Sequence, residues 1–460
     1  MQKRKLEVLL ITPPREVPQK VDFPPIGLAY IAAVLKKEKI AVRVVDASAY
    51  SWGRLARVLC EISPLIVGIP CWTLERSQVF RTTKLVREML PKTRIILGGH
   101  HATAFPDHMF VQANVDAVVI GEGEETTLEL VRALLDGRSL CNIRGIAYSE
   151  NARVLLTESR ELIKNLDSVP YPSYTDFNLD NYIGLPEVNG RAASVMTSRG
   201  CPYRCIFCSS SRFWKGRWRS RSAENVLGEI EWLYHDYKVR NFIFFDDNFT
   251  VQKDRAIEIC RGLLDKRLNI NFVASSHVTH MNPELLYWMK KSGCYRIDFG
   301  VESGSPEILR NIKKGQSVED IEKGFRLVHD AGIKPRAFLI VGSPGENEKT
   351  IDETADLMRR IRPYDSRTAG ILWVLPDTEI NELAKTHGLL SDDFWLQNNE
   401  TLFYACEHNL DELRSLRDRL MKHMSANEGT LKAHLEYWAR KAYYKYTFLQ
   451  KLRQFRFIFK

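Results

Sequence analysis

Short apolar runs of strand length alternate with amphipathic helical stretches along most of the chain, and this alternation constrains the fold more than any other feature. In the first part the expected strands are Leu6–Thr12, Ala41–Asp46, Leu65–Pro70, Arg94–Leu97 and Asp116–Ile120. Helical patterns fall between them, near Ile26–Lys37, Ser51–Ile62, Ser77–Leu90 and Glu124–Leu134. Apolar strands separated by helices require a parallel sheet covered on both faces. Units of this number and length predict one doubly wound α/β domain.

The pattern then changes. Gly145–Tyr148 and Val154–Thr157 flank a polar turn and read as a hairpin. The stretch Asp167-Ser-Val-Pro-Tyr-Pro-Ser-Tyr, with its two prolines, reads as a linker. A second alternation follows, with strands expected at Ala192–Thr197, Phe242–Phe245, Asn271–Ala274, Tyr295–Gly300, Arg336–Val341 and Gly370–Val374. Six strands fall short of the eight that close a parallel barrel, so a partial (β/α)6 TIM-type barrel is expected, with function at the strand ends. From Glu379 the pattern is helical. The expected organisation is a first domain over 1–144, hairpin and linker over 145–190, the partial barrel over 191–378 and a helical C-terminal region over 379–460.

Composition narrows the class. Over 460 residues, 44% are hydrophobic and 27% charged, which excludes a disordered chain. There is no apolar run of the roughly 20 residues that cross a bilayer. The Met1–Glu7 segment runs into a strand-like run with no cleavage pattern, so a cytoplasmic protein is expected. A formal charge of +9 is only mildly basic, and nucleic acid is not expected as a partner on that ground. Nine cysteines in such a chain point to metal or catalytic roles before disulfides.

Three of those cysteines stand together after the first barrel strand, in Thr197-Ser-Arg-Gly-Cys201-Pro-Tyr-Arg-Cys205-Ile-Phe-Cys208. Closely spaced thiolates are soft ligands suited to an iron–sulfur cluster. Structural zinc needs a fourth ligand, and the loop offers none. Three ligands to a four-iron cluster leave one iron open to a small molecule. This C-x3-C-x2-C loop resembles the signature of the radical S-adenosylmethionine (radical SAM) superfamily. The resemblance implies a 4Fe-4S cluster whose open iron is chelated by the amino and carboxylate groups of S-adenosylmethionine. It also implies reductive cleavage to a 5′-deoxyadenosyl radical, with electrons from a donor such as flavodoxin or ferredoxin.

Further motifs follow in order at strand ends. Phe242-Ile-Phe-Phe-Asp246-Asp247 is similar to an acidic pair in cobalamin-linked members, although a strand cap bonding loop amides would read the same. Phe299-Gly300-Val-Glu302-Ser303-Gly304 resembles the ribose-contacting strand end, where a carboxylate accepts both hydroxyls. Phe338-Leu-Ile-Val-Gly342-Ser-Pro344-Gly345 is similar to the turn flanking the adenine, and Arg336 on that strand matches a cofactor carboxylate. The S-adenosylmethionine contacts so implied are Phe207, Asp246, Asp247, Glu302, Ser303, Arg336 and Gly342. Two positions depart from the family: Pro376-Asp377-Thr378 stands where Pro-Gly-Thr is common, and His277 where Arg is common. His277 and His280 are alternatives as a substrate-side base or as ordinary loop histidines.

The first domain resembles the cobalamin-binding, Rossmann-like domain that precedes the barrel in one radical SAM branch. Matching pieces include Ile11-Thr-Pro-Pro14, Leu97-Gly98-Gly99-His100 and Ile120-Gly121-Glu-Gly123-Glu124. The implied cobalamin contacts are Thr73, Gly98, Gly99, Gly121 and Gly123. The Asp-x-His-x-x-Gly pattern that supplies an axial histidine elsewhere is absent; the chain reads Asp46-Ala-Ser-Ala. His100 and His101 are alternatives as ligands or as helix-start residues.

The last 24 residues, Tyr437–Lys460, carry seven Lys or Arg among aromatics and no acid. A packed helix or a peripheral membrane contact would each account for them. The expected activity is that of a cobalamin-dependent radical SAM methyltransferase acting on an unactivated carbon of a small-molecule, lipid or tetrapyrrole substrate. A cyclase or rearranging enzyme related to the anaerobic magnesium-protoporphyrin ester cyclases is the alternative. A tRNA methylthiotransferase would need three further cluster cysteines. A non-catalytic cobalamin sensor would have no use for an open-site cluster loop.

Overall fold

The computed structural model describes residues 6–391, 393–397 and 402–425. The basic aromatic segment 437–460 lies outside the described residues, and so do the packed helix and the membrane contact that would each account for it.

The first sheet contains β1 (Val8–Thr12), β2 (Val42–Asp46), β3 (Ile66–Pro70), β4 (Arg94–Gly98) and β5 (Ala117–Val119), all parallel. Its order, β2-β1-β3-β4-β5, reverses between β1 and β3. Alternate residues enter different cores: Leu9 and Ile11 pack on one face, Val8 and Leu10 on the other. This is the burial of a strand covered on both sides. Helix Trp52–Ile62 begins where the Ser51 side chain accepts a hydrogen bond from the Arg54 amide.

The hairpin corrects the expected division at 144. Its strands β6 (Ile146–Glu150) and β7 (Arg153–Leu156) pair antiparallel on β5 and extend the sheet to seven strands. The remaining linker straps the two halves together. Ser173 donates its amide to the carbonyl of Ala29, and Tyr174 donates its hydroxyl to the carbonyl of Ser194, 2.7 Å away.

The second sheet is a curled half-barrel. After β8 (Ala192–Val195) comes a two-residue ladder of β9 (Ser198–Arg199) and β10 (Arg219–Ser220). The barrel continues with β11 (Asn241–Phe244), β12 (Asn271–Ser276), β13 (Cys294–Glu302), β14 (Lys334–Val341) and β15 (Asp365–Ile371). All neighbouring pairs are parallel, with β8 and β15 at the edges. Ala337, Leu339 and Val341 of β14 enter the core shared with the outer helices. Arg336, Phe338 and Ile340 occupy the opposite, inner face. β15 lies earlier than the sequence indicates, and Trp373 instead bridges Phe403.

The described C-terminal part is helical, over Glu379–Thr386, Phe394–Gln397 and Leu410–Ser425. Trp395 is buried against His101 and Phe105 of the first domain. Helix Leu410–Ser425 packs Leu416 and Leu420 into the barrel core, and Arg419 binds Asp352 bidentately at 2.9 and 2.7 Å. No helix among the described residues is long and apolar enough to cross a membrane.

Candidate active site at the junction of the two sheets

The cysteine loop leaves β9 at the carboxyl end of the half-barrel. Gly200, just before Cys201, has φ +89, and a Cβ there would lie 2.0 Å from the carbonyl oxygen of Arg217. Only glycine permits that turn. Asp246 and Asp247, both just past β11, hold the loop from beneath. Asp246 accepts the Thr197 amide at 2.6 Å and the Ser198 hydroxyl at 2.7 Å. Asp247 accepts the Gly200 amide at 3.1 Å and the Ser210 hydroxyl at 2.7 Å. Burial pushes both carboxyls up, and these donors work against it. In this structure the acidic pair caps the loop, as the strand-cap reading has it, and presents its oxygens to protein donors.

Cys201, Cys205 and Cys208 are free and partly buried. Burial raises all three thiols, Cys205 to about 12, and the nearby Lys314 ammonium opposes the rise in each. Among the described residues no three Cys, His, Asp or Glu side chains converge on the point a single ion would occupy. Cys201, Cys205 and Cys208, close together on one loop, would hold an iron–sulfur cluster rather than a single ion. The donor set suits that cluster. Ile206 and Phe207 between the ligands pack into an apolar cap with Ile308, Ile312, Leu372 and Val374.

Glu302 ends β13 with φ +66, after a register shift against β14 between Gly300 and Glu302. A non-glycine residue rarely adopts that conformation, and strain of this kind gathers at functional sites. Its carboxylate accepts from Lys314 Nζ at 2.8 Å, both residues being buried. Ser303 turns away, with its hydroxyl 3.1 Å from that of Thr354. Gly342 has φ +94, donates its amide to Glu346, and faces Leu413 where a side chain would stand. Its open side is therefore filled by the C-terminal helix. Arg336 lies in register with Asp298 near the start of β14, well below the strand ends, with its guanidinium 5.1 Å from the Phe338 ring. The structure thus gathers the cysteines, Phe207, Asp246, Asp247 and Glu302 at one mouth and sets Arg336 apart.

His277 and His280 are engaged by protein groups. The His277 ring stacks on Tyr203 at 3.9 Å, and its two nitrogens meet Thr279 Oγ1 at 2.7 Å and the Lys314 carbonyl at 3.2 Å. Burial first, and then Lys314, lowers its pKa to about 4. His280 lies between the Tyr203 hydroxyl at 3.1 Å and Thr250 Oγ1 at 3.1 Å. Both histidines contact Tyr203 of the cysteine loop. Asp377 has φ +56, the left-handed conformation that glycine takes without cost.

The first domain meets this mouth at its own strand ends. A cavity of about 430 Å³ lies between Trp72–Glu75 after β3, His100 and Thr103 after β4, Arg212 and Phe213 after the cysteines, and Trp373 and Asp377 after β15. A second, of about 320 Å³, adjoins it through Leu74 and Glu75 and reaches Pro13–Glu16 after β1. They follow the β1/β3 switch point, where doubly wound sheets bind ligands. The His100 ring is held between Trp72 at 4.6 Å and Phe213 at 4.1 Å. Its buried Nδ1 has no hydrogen-bond partner among the described residues. Half-exposed Trp72, Leu74 and Trp373 give the cleft an apolar face that suits a broad, flat macrocycle.

The expected cobalamin contacts divide. Thr73 lines the cavity, with its hydroxyl 3.2 Å from His101 Nδ1. Gly121 has φ +79 and open space at its Cβ position. Gly99 and Gly123 lie against protein: a Cβ would meet Cys71 O at 3.1 Å and Ile31 Cδ1 at 3.1 Å. At Gly98 the nearest neighbour would be Val119, at an ordinary 3.5 Å. Sequence reasoning missed Glu122 and Glu124, which lie among these glycines and bind Arg199 of the cysteine loop. It also missed Lys314, for which the sequence carries no signal beyond a basic pair before Gly315.

Two family profiles match successive parts of the chain. The radical SAM superfamily profile matches residues 195–358, and the B12-binding domain profile matches residues 19–131. An uncharacterized methyltransferase of Pyrococcus horikoshii is 34% identical over 399 residues, covering 85% of either chain. The anaerobic magnesium-protoporphyrin IX monomethyl ester cyclase of Rubrivivax gelatinosus is 31% identical, over 74% of this chain and 63% of its own. The solved structure of the radical S-adenosylmethionine methyltransferase TsrM from Kitasatospora setae superposes with a TM-score of 0.71 at 21% identity, over 83% of this chain and 76% of its own. Radical SAM membership brings a 4Fe-4S cluster and S-adenosylmethionine, and the B12-binding domain brings cobalamin. The cysteine-bearing half-barrel and the cleft-bearing sheet in front of it place the chain in the radical SAM superfamily, among the enzymes whose barrel follows a B12-binding domain.

Proposed function

We propose that the protein methylates an unactivated carbon of a largely apolar small molecule. The observation that carries this reading is the junction cavity. One wall is the β3 and β4 ends of the B12-binding sheet, and the other is the short helix that Cys208 caps. Two cofactor sites that border one partly enclosed space can act on one substrate without its release. When bound, the cluster and S-adenosylmethionine supply a hydrogen-abstracting radical and cobalamin a transferable methyl group.

The chain's own residues bind, orient and exclude water. Asp246 and Asp247 fix the cysteine loop through backbone and hydroxyl donors. Phe207 and the apolar cap around Ile206 shield one side of it. Glu302 offers a buried carboxylate at the mouth, suited to ribose hydroxyls. Trp72, Phe213 and Trp373 line the shared cavity and favour an apolar substrate surface. A one-electron donor of the flavodoxin or ferredoxin class completes the system.

Product analysis after anaerobic reconstitution and reduction tests this reading. Formation of both 5′-deoxyadenosine and S-adenosylhomocysteine, the second dependent on added cobalamin, is expected. The likeness to the ester cyclase favours a second reading, radical cyclisation or rearrangement without methyl transfer. That reading predicts 5′-deoxyadenosine alone.

A further inference from the structure

The turn from Asn311 to Gln316 is tied to the cysteine loop at several points. Ile206, between two of the cysteines, donates its amide to the Ile312 carbonyl at 3.2 Å. Gly315 has φ +72, and a Cβ there would lie 3.1 Å from the Tyr203 ring. His277, stacked on Tyr203, reaches the Lys314 carbonyl at 3.2 Å. Gln316 Nε2 donates to the Gly300 and Val301 carbonyls at 3.1 and 3.2 Å. Lys314 is therefore fixed at its backbone as well as at its ammonium. Gly300 leaves room for that ammonium: a Cβ there would lie 2.6 Å from Lys314 Nζ and 2.3 Å from Glu302 Oε1.

A buried ion pair is a poor way to gain stability, because both charges lose water. Here the pair also requires a left-handed glutamate. The cysteines give the ammonium a use. Burial works against the Lys314 charge, but Glu302, Cys205 and Cys208 outweigh it and hold the ammonium above the usual lysine range. An iron–sulfur cluster on three thiolates is anionic, and each electron it accepts adds a negative charge in a medium that screens poorly.

Resting on the cluster assignment made above, we propose that Lys314 is a positioning residue that compensates cluster charge. Its ammonium stabilises the reduced cluster, and Glu302 limits that effect while the two are paired. The step is a one-electron transfer: a reduced flavodoxin- or ferredoxin-class donor is oxidised and the cluster is reduced, with no proton or bond exchanged. Lys314 makes the reduction easier, and Glu302 makes it harder.

The test is a redox titration of the reconstituted full chain with dithionite and mediators, followed by electron paramagnetic resonance, without S-adenosylmethionine. Lys314→Met should retain wild-type iron, about four per chain, and shift the midpoint to more negative potential. Its reduced fraction at a fixed, partly reducing potential should fall several-fold, and Lys314→Arg should restore most of it. Glu302→Gln should shift the midpoint the other way. An unchanged midpoint in Lys314→Met with iron retained would overturn the inference and leave the proposed function standing. If Lys314→Met fails to hold its cluster, Glu302→Gln decides: a positive shift supports the inference, and no shift or a negative one overturns it. A wild-type chain that takes up no iron would overturn the function and the inference together.

Discussion

Arg199 Nη1 donates to Glu122 Oε1 at 2.7 Å, joining the residue two places before Cys201 to the loop that follows β5 of the other sheet. Glu124 binds the same guanidinium, and Arg219 Nη1 reaches Glu122 Oε2 at 2.9 Å. Arg199, Glu122 and Glu124 are all buried. The Tyr30 ring lies 5.4 Å from the guanidinium. The cysteine loop is thus seated on the first domain as well as on the barrel.

Removing Arg199 leaves Glu124 a buried carboxylate without its partner. Arg199→Met should cost about 3–5 kcal/mol, the range for breaking a buried pair. Chemical denaturation of the chain checks this, and iron uptake should fall with it. A loss under about 1 kcal/mol, typical of exposed pairs, would show that the junction does not depend on these charges.

Glycine at 200 is required by space as well as by φ. Gly200→Ala would place its Cβ against the Arg217 backbone and should abolish most iron incorporation. Gly216 has φ +65 but open space at its Cβ position. Gly216→Ala should therefore cost only the left-handed penalty, about 1–2 kcal/mol, and keep the cluster. Iron per chain after reconstitution separates the two.

Much of this was legible in the sequence, for physical reasons. Period-two burial in β1 and the C-x3-C-x2-C spacing are local signals, and both the doubly wound sheet and the half-barrel follow from such patterns. The hairpin misled because its alternation reveals two strands and not the edge they pair with; β6 finds β5 by tertiary contact. At Gly99 and Gly123 the sequence shows only that a close approach is possible; the Cys71 and Ile31 neighbours come from the fold. Lys314 and Glu302 lie twelve residues apart, and only the fold of the intervening helix brings them together.

Acid should destabilise the protein through its histidines. Burial, the largest cause in each, lowers His100 and His277 to about 4 and His101 to about 3, from an ordinary 6.5. Below 6.5 the unfolded chain binds protons that the folded chain refuses, so stability rises with pH across this window. It should be fully present above about 6.5 and lost progressively as pH falls toward 4. Thermal unfolding across this range measures the slope, and His277→Gln should flatten it. A slope unchanged by that substitution would contradict the burial of a neutral His277.

Asp377 occupies a glycine conformation in the loop where the family commonly has Pro-Gly-Thr. Asp377→Gly relieves the left-handed strain but loosens the unfolded chain, so the net change should lie within about 1 kcal/mol. Asp377→Val, branched at Cβ, should lower the melting temperature clearly. Equal melting temperatures for the two variants would contradict the conformation.

The proposed function requires the cysteine loop and the first-domain cleft to hold two cofactors across one cavity. The most direct test is anaerobic reconstitution of the full chain with iron, sulfide and hydroxocobalamin, scoring bound iron, bound cobalamin and 5′-deoxyadenosine. About four irons per chain, bound cobalamin, and 5′-deoxyadenosine upon reduction are expected. The Cys201/Cys205/Cys208→Ala triple variant should lose iron and cleavage but keep cobalamin. Iron with cleavage in that variant, or a wild-type chain that binds no cobalamin, would contradict it.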